Sequence, residues 1–447
     1  MPKHAFLSVA SLLVASALSA QQVPARLTLA EAIAIARERN PQYRQALNSR
    51  NAAGAEARAG WSGFLPRITA SMNTGGSSSR VVTGEDDFGE PVALPVAREF
   101  HGSSSSQSLG ASLTLFDGLG NVQRIKAARA GADMAQADAQ LALRTVEAET
   151  ARRFYRALVA ERSVSLEDRL LQVARDQLAN TEQRFALAAA NQEDVLGARV
   201  DVANRELDVA RARGEARKAH LALREYMGVA EDVTFELAGE MPAIFDPATL
   251  DATQLVATAL AGHARIAQLD ASARSAGAQA SFAGARRWPS VNANLGLGRS
   301  MSLSSYDALF EPNPRNRSFS FGLSVTLPVF SGFETSAQIA RTDAQARNAG
   351  EALRAGRLAV EREVRSALID LQNAHQALEV ARQAADLSGQ RLELARQRYQ
   401  MGQLDFALLQ QIMSLAAQSE RQVVQAEVNL AVAFVSLEEA VGTEVHP

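Results

Sequence analysis

The sequence predicts a mainly α protein with a small β part, built as a duplicated helix–strand–strand–helix–helix unit. Three observations carry this. First, Phe116-Asp117-Gly118 returns as Phe330-Ser331-Gly332, 214 residues later, and the same offset pairs Glu147 with Glu361, Leu178 with Leu392, Arg184 with Arg398 and Gly228 with Gly442. A register held over so long a stretch implies two copies of one structural unit. Second, no proline occurs between Pro95 and Pro242 or between Pro328 and Pro447. A proline inside a helix costs about 3 kcal/mol, so these stretches are where very long helices fit. Third, four short segments alternate apolar with small or polar residues, the period of a strand.

The elements follow in order. Lys3 and His4 precede an apolar run from Ala5 to Leu18, with small residues at Ala17, Ser19 and Ala20. Residues 1–20 therefore read as a secretory signal peptide; the alternative, a spanning helix, needs roughly 20 apolar residues. Repeat one covers residues 21–228 and repeat two residues 252–442, with a linker at 229–251 and a tail at 443–447. In repeat one a helix over about 27–65 leads to strands at about 67–75 and 107–115, joined by a polar loop at 76–106. A long helix, about 119–187, spans ~105 Å, and a return helix, about 191–228, spans ~55 Å. The helix before the strands covers the half of the long helix that its hairpin partner cannot reach. Repeat two places its strands at about 290–298 and 318–327 around a loop at 299–317. Upstream of Pro66 the offset becomes 223, as Ala53-Gly54-Ala55 matches Ala276-Gly277-Ala278, so the first loop carries the insertion.

Two seams support the long hairpins. Val360, Val364, Ala367, Leu371, Ala374, Leu378, Ala381, Ala385, Ser388, Leu392 and Ala395 recur at spacings of three and four, a period that demands left-handed supercoiling. Leu409, Ile412, Ala416, Ser419, Val423, Ala426, Leu430, Ala433 and Leu437 supply the partner seam. The hairpin tips fall at about 187–194 and 401–408, where Gly402 suits a helix end and Asn191 and Asp405 suit N-caps.

In the strands Leu109, Leu113, Leu295, Phe319, Phe321, Leu323 and Val325 occupy alternate positions. Such segments suit a membrane β-barrel, apolar toward lipid and polar toward the lumen; a soluble half-buried hairpin is the other reading. Trp61, Phe116, Trp288 and Phe330 fall near the strand–helix junctions, as a membrane-interface belt or as corner packing. Four strands cannot close a barrel, and an open edge cannot sit in lipid. Several chains must then share one barrel, two giving eight strands and three giving twelve. Small polar inward residues argue for an open lumen and hence three chains.

Composition excludes other classes. The chain has 447 residues, 47% of them hydrophobic, and a net charge of −3, so nothing points to nucleic acid. No cysteine occurs, which removes disulfides, thiol nucleophiles and cysteine-held zinc. No nucleophile elbow, phosphate loop or metal-ligand spacing is present. No enzymatic activity, cofactor or metal is therefore expected.

The duplicated order resembles the TolC-like outer-membrane efflux proteins. Echoes of that family are Leu27-Thr28-Leu29-Ala30-Glu31-Ala32 followed by Asn40-Pro41, the corners Leu115-Phe116-Asp117-Gly118 and Leu327-Pro328-Val329-Phe330-Ser331-Gly332, Arg398-Tyr399 with Gly402, and the closing Gly442. The resemblance covers essentially the whole mature chain. It implies a homotrimer, with a twelve-stranded outer-membrane barrel continuous with a periplasmic α-helical coiled-coil barrel. Such ducts dock through a periplasmic adaptor onto an inner-membrane pump and export drugs, metals or proteins, in multidrug export or type I secretion. Their tip is closed at rest and opens like an iris. The gate candidates here are Arg184, Asn191, Asp194, Arg398, Gly402 and Asp405, each of which also reads as an ordinary cap or dipole partner. Family members often carry acidic rings past the second tip; the matching positions here are Leu408 and Gln411. A pore-free periplasmic coiled-coil scaffold is the alternative function.

Overall fold

The computed structural model describes residues 24–85, 91–230, 233, 235–239, 241, 246–310, 315–443 and 445. The signal segment expected over residues 1–20 lies outside them, as do parts of the linker, the polar loops and the tail.

The chain enters through a two-residue strand, β1 (Arg26–Leu27), and then α1 (Leu29–Arg39). Thr28 and Glu31 close a capping box there, with the Glu31 amide donating to Thr28 Oγ1 at 3.3 Å and the Thr28 amide to Glu31 Oε2 at 2.8 Å. The single helix expected over 27–65 is in fact interrupted. Pro41 has no amide to continue a ladder, and Asn40 Oδ1 accepts from the amides of Gln42 (2.8 Å) and Tyr43 (3.1 Å), starting α2 (Pro41–Ala59). A 3₁₀ turn, Gly60–Phe64, follows.

Next come β2 (Arg67–Glu85) and β3 (Pro91–Phe116). These strands continue through most of the segment expected to be a 76–106 loop, pairing as far as Glu85 with Pro91. The reason is chemical. Runs such as Ser77-Ser78-Ser79 and Ser103-Ser104-Ser105-Ser106 have no apolar face, so the backbone ladder persists where the hydrophobic period vanishes.

A 67-residue helix, α3 (Gly120–Ala186), turns into the 36-residue α4 (Gln192–Met227). β4 (Glu236–Leu237), in the linker, pairs in parallel with β1. Repeat two then gives α5 (Ala252–Gly262), α6 (Ala264–Ala285), β5 (Ser290–Leu303), β6 (Asn316–Thr326), α7 (Glu334–Gln400) and α8 (Phe406–Val441). β5 runs further than the 290–298 span, and a 3₁₀ turn, Tyr306–Phe310, occupies part of the 299–317 loop.

The duplication is visible in the backbone. α7 and α8 are displaced from α3 and α4 by 214 residues at both ends. Among the described residues the left-handed positions are Gly118, Leu119, Ala188 and Gly228, then Gly332, Phe333, Gly402 and Gly442, four pairs at that same offset. Each pair marks a corner: strand to helix, tip, or helix end.

Each long helix has a short helix beside one half and a return helix beside the other. α2 and α4 flank α3; α6 and α8 flank α7; and α6 and α8 also reach across to α3. Three apolar clusters hold this together. One joins α1, the middle of α3 and the ends of α4 and α8 through Phe154, Leu223, Met227 and Val435. A second joins α5, α7 and the end of α8 through Val360, Val364, Leu371 and Leu437, with Val445 of the tail buried against it. The third lies at the tips, around Tyr399, Phe406 and Leu409.

Candidate functional site

The four strands form one sheet in the order β2-β3-β5-β6, all antiparallel. Its register sorts the side chains. Leu323 lies opposite Ala293, Phe321 opposite Leu295 and Phe319 opposite Leu297. Leu297 is opposite Leu109, Leu295 opposite Ala111 and Ala293 opposite Leu113. Ile68 and Ala70 continue these rows on β2. All seven strand residues predicted from alternation, Leu109, Leu113, Leu295, Phe319, Phe321, Leu323 and Val325, thus share one face. The opposite face carries Thr69, Ser71, Gly110, Ser112, Asn292, Asn294, Gly296, Ser320 and Ser324. Phe319, Phe321, Leu323 and Val325 are largely exposed in the single chain. Such a sheet, apolar on one side and hydroxyl- and amide-bearing on the other, separates hydrocarbon from water.

At the helical end of that sheet Trp61, Trp288, Phe116 and Phe330 are exposed, together with Val329 and Phe333. Arg129 sits over the Trp61 ring at 5.7 Å. Gly118 has φ +65°, and a Cβ there would come within 2.4 Å of Trp288 Cβ, so this corner accepts only glycine.

At the opposite end of the molecule the two tips meet. Arg184, in the last turn of α3, donates to the carbonyl of Tyr399 on α7 and stacks its guanidinium 4.4 Å from the Tyr399 ring centre. Gln410 donates to the Gly197 carbonyl at 3.0 Å. Asn191 and Asp194 form a reciprocal capping box: the Asp194 amide donates to Asn191 Oδ1 at 2.7 Å and the Asn191 amide to Asp194 Oδ2 at 3.2 Å. Asp405 stands at the N-cap of α8 without a side-chain capping bond. Arg398 is exposed, and Gly402 adopts φ +71° to close its turn. The structure therefore brings Arg184 to the facing hairpin and keeps Asn191 and Asp194 within their own turn.

Farther along the rods, sequence reasoning missed an ionic tie. Arg421 of α8 reaches Glu167 of α3 at 2.5 and 2.8 Å and Asp208 of α4 at 2.7 Å. Its hydrogen bond to Glu167 foremost, against some desolvation, raises its pKa above the ordinary arginine value. The three residues lie up to 254 positions apart, and no local period announces such a contact.

This tie belongs to an α3–α8 interface whose counterpart in the duplicated scheme is open. Tyr155 and Leu166 of α3 are 7% and 2% exposed, whereas their equivalents on α7, Ile369 and Val380, are 55% and 57% exposed. Val435 of α8 is 4% exposed, and its equivalent on α4, Leu221, 52%. α7 also exposes Leu387 and Leu394, and α4 exposes Leu196, Val200 and Leu207. Among the described residues no helix is long and apolar enough to cross a membrane, and no three His, Asp or Glu side chains lie together as a metal site.

Comparison with known proteins agrees with this geometry. The chain is 25% identical over 356 residues to Protein CyaE of Bordetella pertussis, covering 79% of this chain and 71% of that one. Its fold is that of a membrane protein from Pseudomonas aeruginosa (TM-score 0.74, 20% identity, 93% of this chain and 90% of the other). It is equally that of the CmeC outer membrane channel of Campylobacter jejuni (TM-score 0.73, 15% identity, 93% and 85%). The sequence family described as outer membrane efflux protein matches in two segments, residues 32–229 and 255–443, one in each copy of the duplicated unit. With its two-faced strand sheet, its paired long hairpins and this match over most of its length, the chain belongs to the outer membrane efflux protein family.

Proposed function

We propose that three copies of this chain assemble into one passive duct. Its twelve-stranded barrel lies in the outer membrane, and its helices continue across the periplasm to a periplasmic adaptor and an inner-membrane pump. One observation carries the assembly: every interface made between copy one and copy two inside the chain has a matching open pair. β3 pairs with β5, while β2 and β6 remain edges. α3 packs on α8, while the α7 and α4 apolar stripes stay uncovered. Head-to-tail contact of β6 with the next chain's β2, and of α7 with its α4, uses each surface once and closes a ring. Twelve strands leave a water-filled lumen for the polar face, whereas eight would fill with side chains. A pore-free scaffold would leave the apolar sheet face and both strand edges without partners. We read residues 1–20 as the secretory signal that delivers the chain.

The same matching suggests the gate. Arg184 bonds Tyr399 within the chain; the equivalents of those residues are Arg398 and Phe185, both exposed. In the ring Arg398 would meet Phe185 of the next chain and hold the tips together. Light scattering of detergent-extracted protein together with conductance in planar bilayers tests the reading. A trimer with low resting conductance that rises in Arg398→Ala is expected. A monodisperse single chain, or no conductance even in the loosened variant, overturns it.

A further inference from the structure

The apolar face of the sheet ends abruptly. One row beyond Leu297 and Phe319, on the same face and on the side away from the helices, Arg299 and Arg317 lie directly opposite each other. Both are exposed. Gln107 is opposite Arg299 and Met72 opposite Gln107, completing the row. The neighbouring rows on that face bring no carboxylate: Ala70, Leu109, Leu297 and Phe319 on one side, Thr74, Ser105 and Met301 on the other. Like charges directly opposite on a sheet are unfavourable unless an anion lies between them. From Val291 to Leu297 the apolar band occupies roughly 20 Å of strand, near the height of a membrane barrel's lipid-facing girdle. The arginine row therefore stands at the level where hydrocarbon gives way to headgroups.

We propose that Arg299 and Arg317 form a phosphate-binding site for an anionic lipid headgroup at the outer edge of the apolar band. The inference rests on the reading that this face meets lipid. Two guanidinium forks offer paired donors that match phosphate oxygens. The amide of Gln107 flanks them, and the acyl chains of the same lipid would lie along Leu109, Leu297 and Phe319. Three copies would place three such sites around the barrel and tether its outer rim to the bilayer.

Native mass spectrometry of the purified assembly, titrated separately with dioleoyl phosphatidic acid and dioleoyl phosphatidylcholine, tests this. The natural protein should retain phosphatidic acid in preference to phosphatidylcholine. The R299Q/R317Q variant should bind phosphatidic acid about twenty-five-fold more weakly, roughly fivefold per arginine, with phosphatidylcholine binding unchanged. R299K/R317K should keep most of the preference, since charge is retained. Unaltered phosphatidic acid binding in R299Q/R317Q overturns the site. Displacement of the lipid by millimolar inorganic phosphate overturns the headgroup assignment, and persistence of the lipid supports it. Should the double variant not assemble, either single variant carries the same test with the roughly fivefold loss. Leu323→Arg separates this from the underlying reading. If Leu323→Arg inserts normally, the lipid-facing assignment fails. If it blocks insertion while R299Q/R317Q keeps its lipid, only the headgroup site fails.

Discussion

Two regions of the molecule solve the same packing problem differently. Where α8 crosses hairpin one, Arg421 is held between Glu167 and Asp208. At the equivalent open surface the residues 214 positions away are Leu207 for Arg421 and Ala381 for Glu167. The interface made within the chain is ionic at its centre, while the one left for another chain is apolar. An intrachain contact is present at high effective concentration from the moment the chain folds, so its charges serve register. A contact between chains must supply its own driving force, and buried apolar area supplies it.

The sharpest way to break this comparison is Leu207→Arg. It sets an unpartnered charge against Ala381 and Val380 of the neighbouring chain, at a cost of several kcal/mol per interface. Loss of the trimer on size-exclusion chromatography with light scattering, with helical circular dichroism retained, is the expected outcome. A trimer of normal stability would mean that α4 does not meet α7.

Arg421→Ala attacks the other side. It leaves Glu167, almost wholly buried, without its cation. Breaking a fully buried pair costs 3–5 kcal/mol; Arg421 is partly exposed, so about 2 kcal/mol is expected. The loss should appear in denaturant unfolding of the helical signal. Arg421→Ala with Glu167→Gln should recover part of it, because the stranded charge is gone. Equal stability of the single variant and the natural protein would reduce the tie to surface decoration.

The two copies also differ in how their short helices are joined. Asn40 caps α2 and donates from Nδ2 to the Tyr226 carbonyl at 2.7 Å. At the matching position, 223 residues on, His263 accepts from the Arg265 amide on Nδ1 at 3.1 Å and bonds the Glu439 backbone. The imidazole imitates the amide only while neutral. Burial holds its pKa below the ordinary 6.5, against the opposing pull of Glu363 on α7 and Glu439 on α8; Arg265 adds to the lowering. A group whose folded pKa is depressed stabilises the fold fully above its unfolded value. That contribution fades as pH falls through 6.5 toward the folded value. The α5–α6 junction should therefore loosen on acidification by about 1 kcal/mol, the worth of an N-cap, while α1–α2 does not. Hydrogen exchange at residues 264–267 compared at neutral and mildly acidic pH measures it. His263→Asn should abolish the difference, and an unchanged pH response in that variant would sink the assignment.

Much of this was legible in the chain itself, for a physical reason. Corners that need left-handed backbone, such as Gly118 and Gly332, recur in register because the geometry of each copy fixes them. The a/d seam from Val360 to Ala395 shows because small apolar residues are required wherever two rods touch. Asn40-Pro41 was in plain view, yet the apolar pattern on both sides disguised the break. The upper parts of β2 and β3 were not legible, since serines on both faces erase the period-two signal. Arg184 stood out by its place in the last turn of α3, but its partner Tyr399 did not. Contacts between distant hairpins, like that of Arg421 with Glu167, leave no trace in local periodicity.

The smallest expected effect lies at the tips, where the two copies are nearly superposable. Leu187 and Met401 donate to the carbonyls four residues back at 3.1 Å each, and Ala189 and Gln403 close the turns at 2.8 Å to Arg184 and Arg398. The residue between them is left-handed in both, but it is Ala188 at φ +55° in copy one and Gly402 at φ +71° in copy two. A Cβ in that region costs roughly 1 kcal/mol or more, partly offset by the smaller unfolded-state entropy of alanine. Ala188→Gly should thus stabilise the first tip by about 0.5 kcal/mol, and Gly402→Ala should destabilise the second by about 1 kcal/mol. Amide exchange of Leu187 to Asn191, slowed a few-fold in Ala188→Gly, is the measurement. If exchange quickens instead, the strain at Ala188 is offset by contacts of its methyl group, and the two tips are built on different terms.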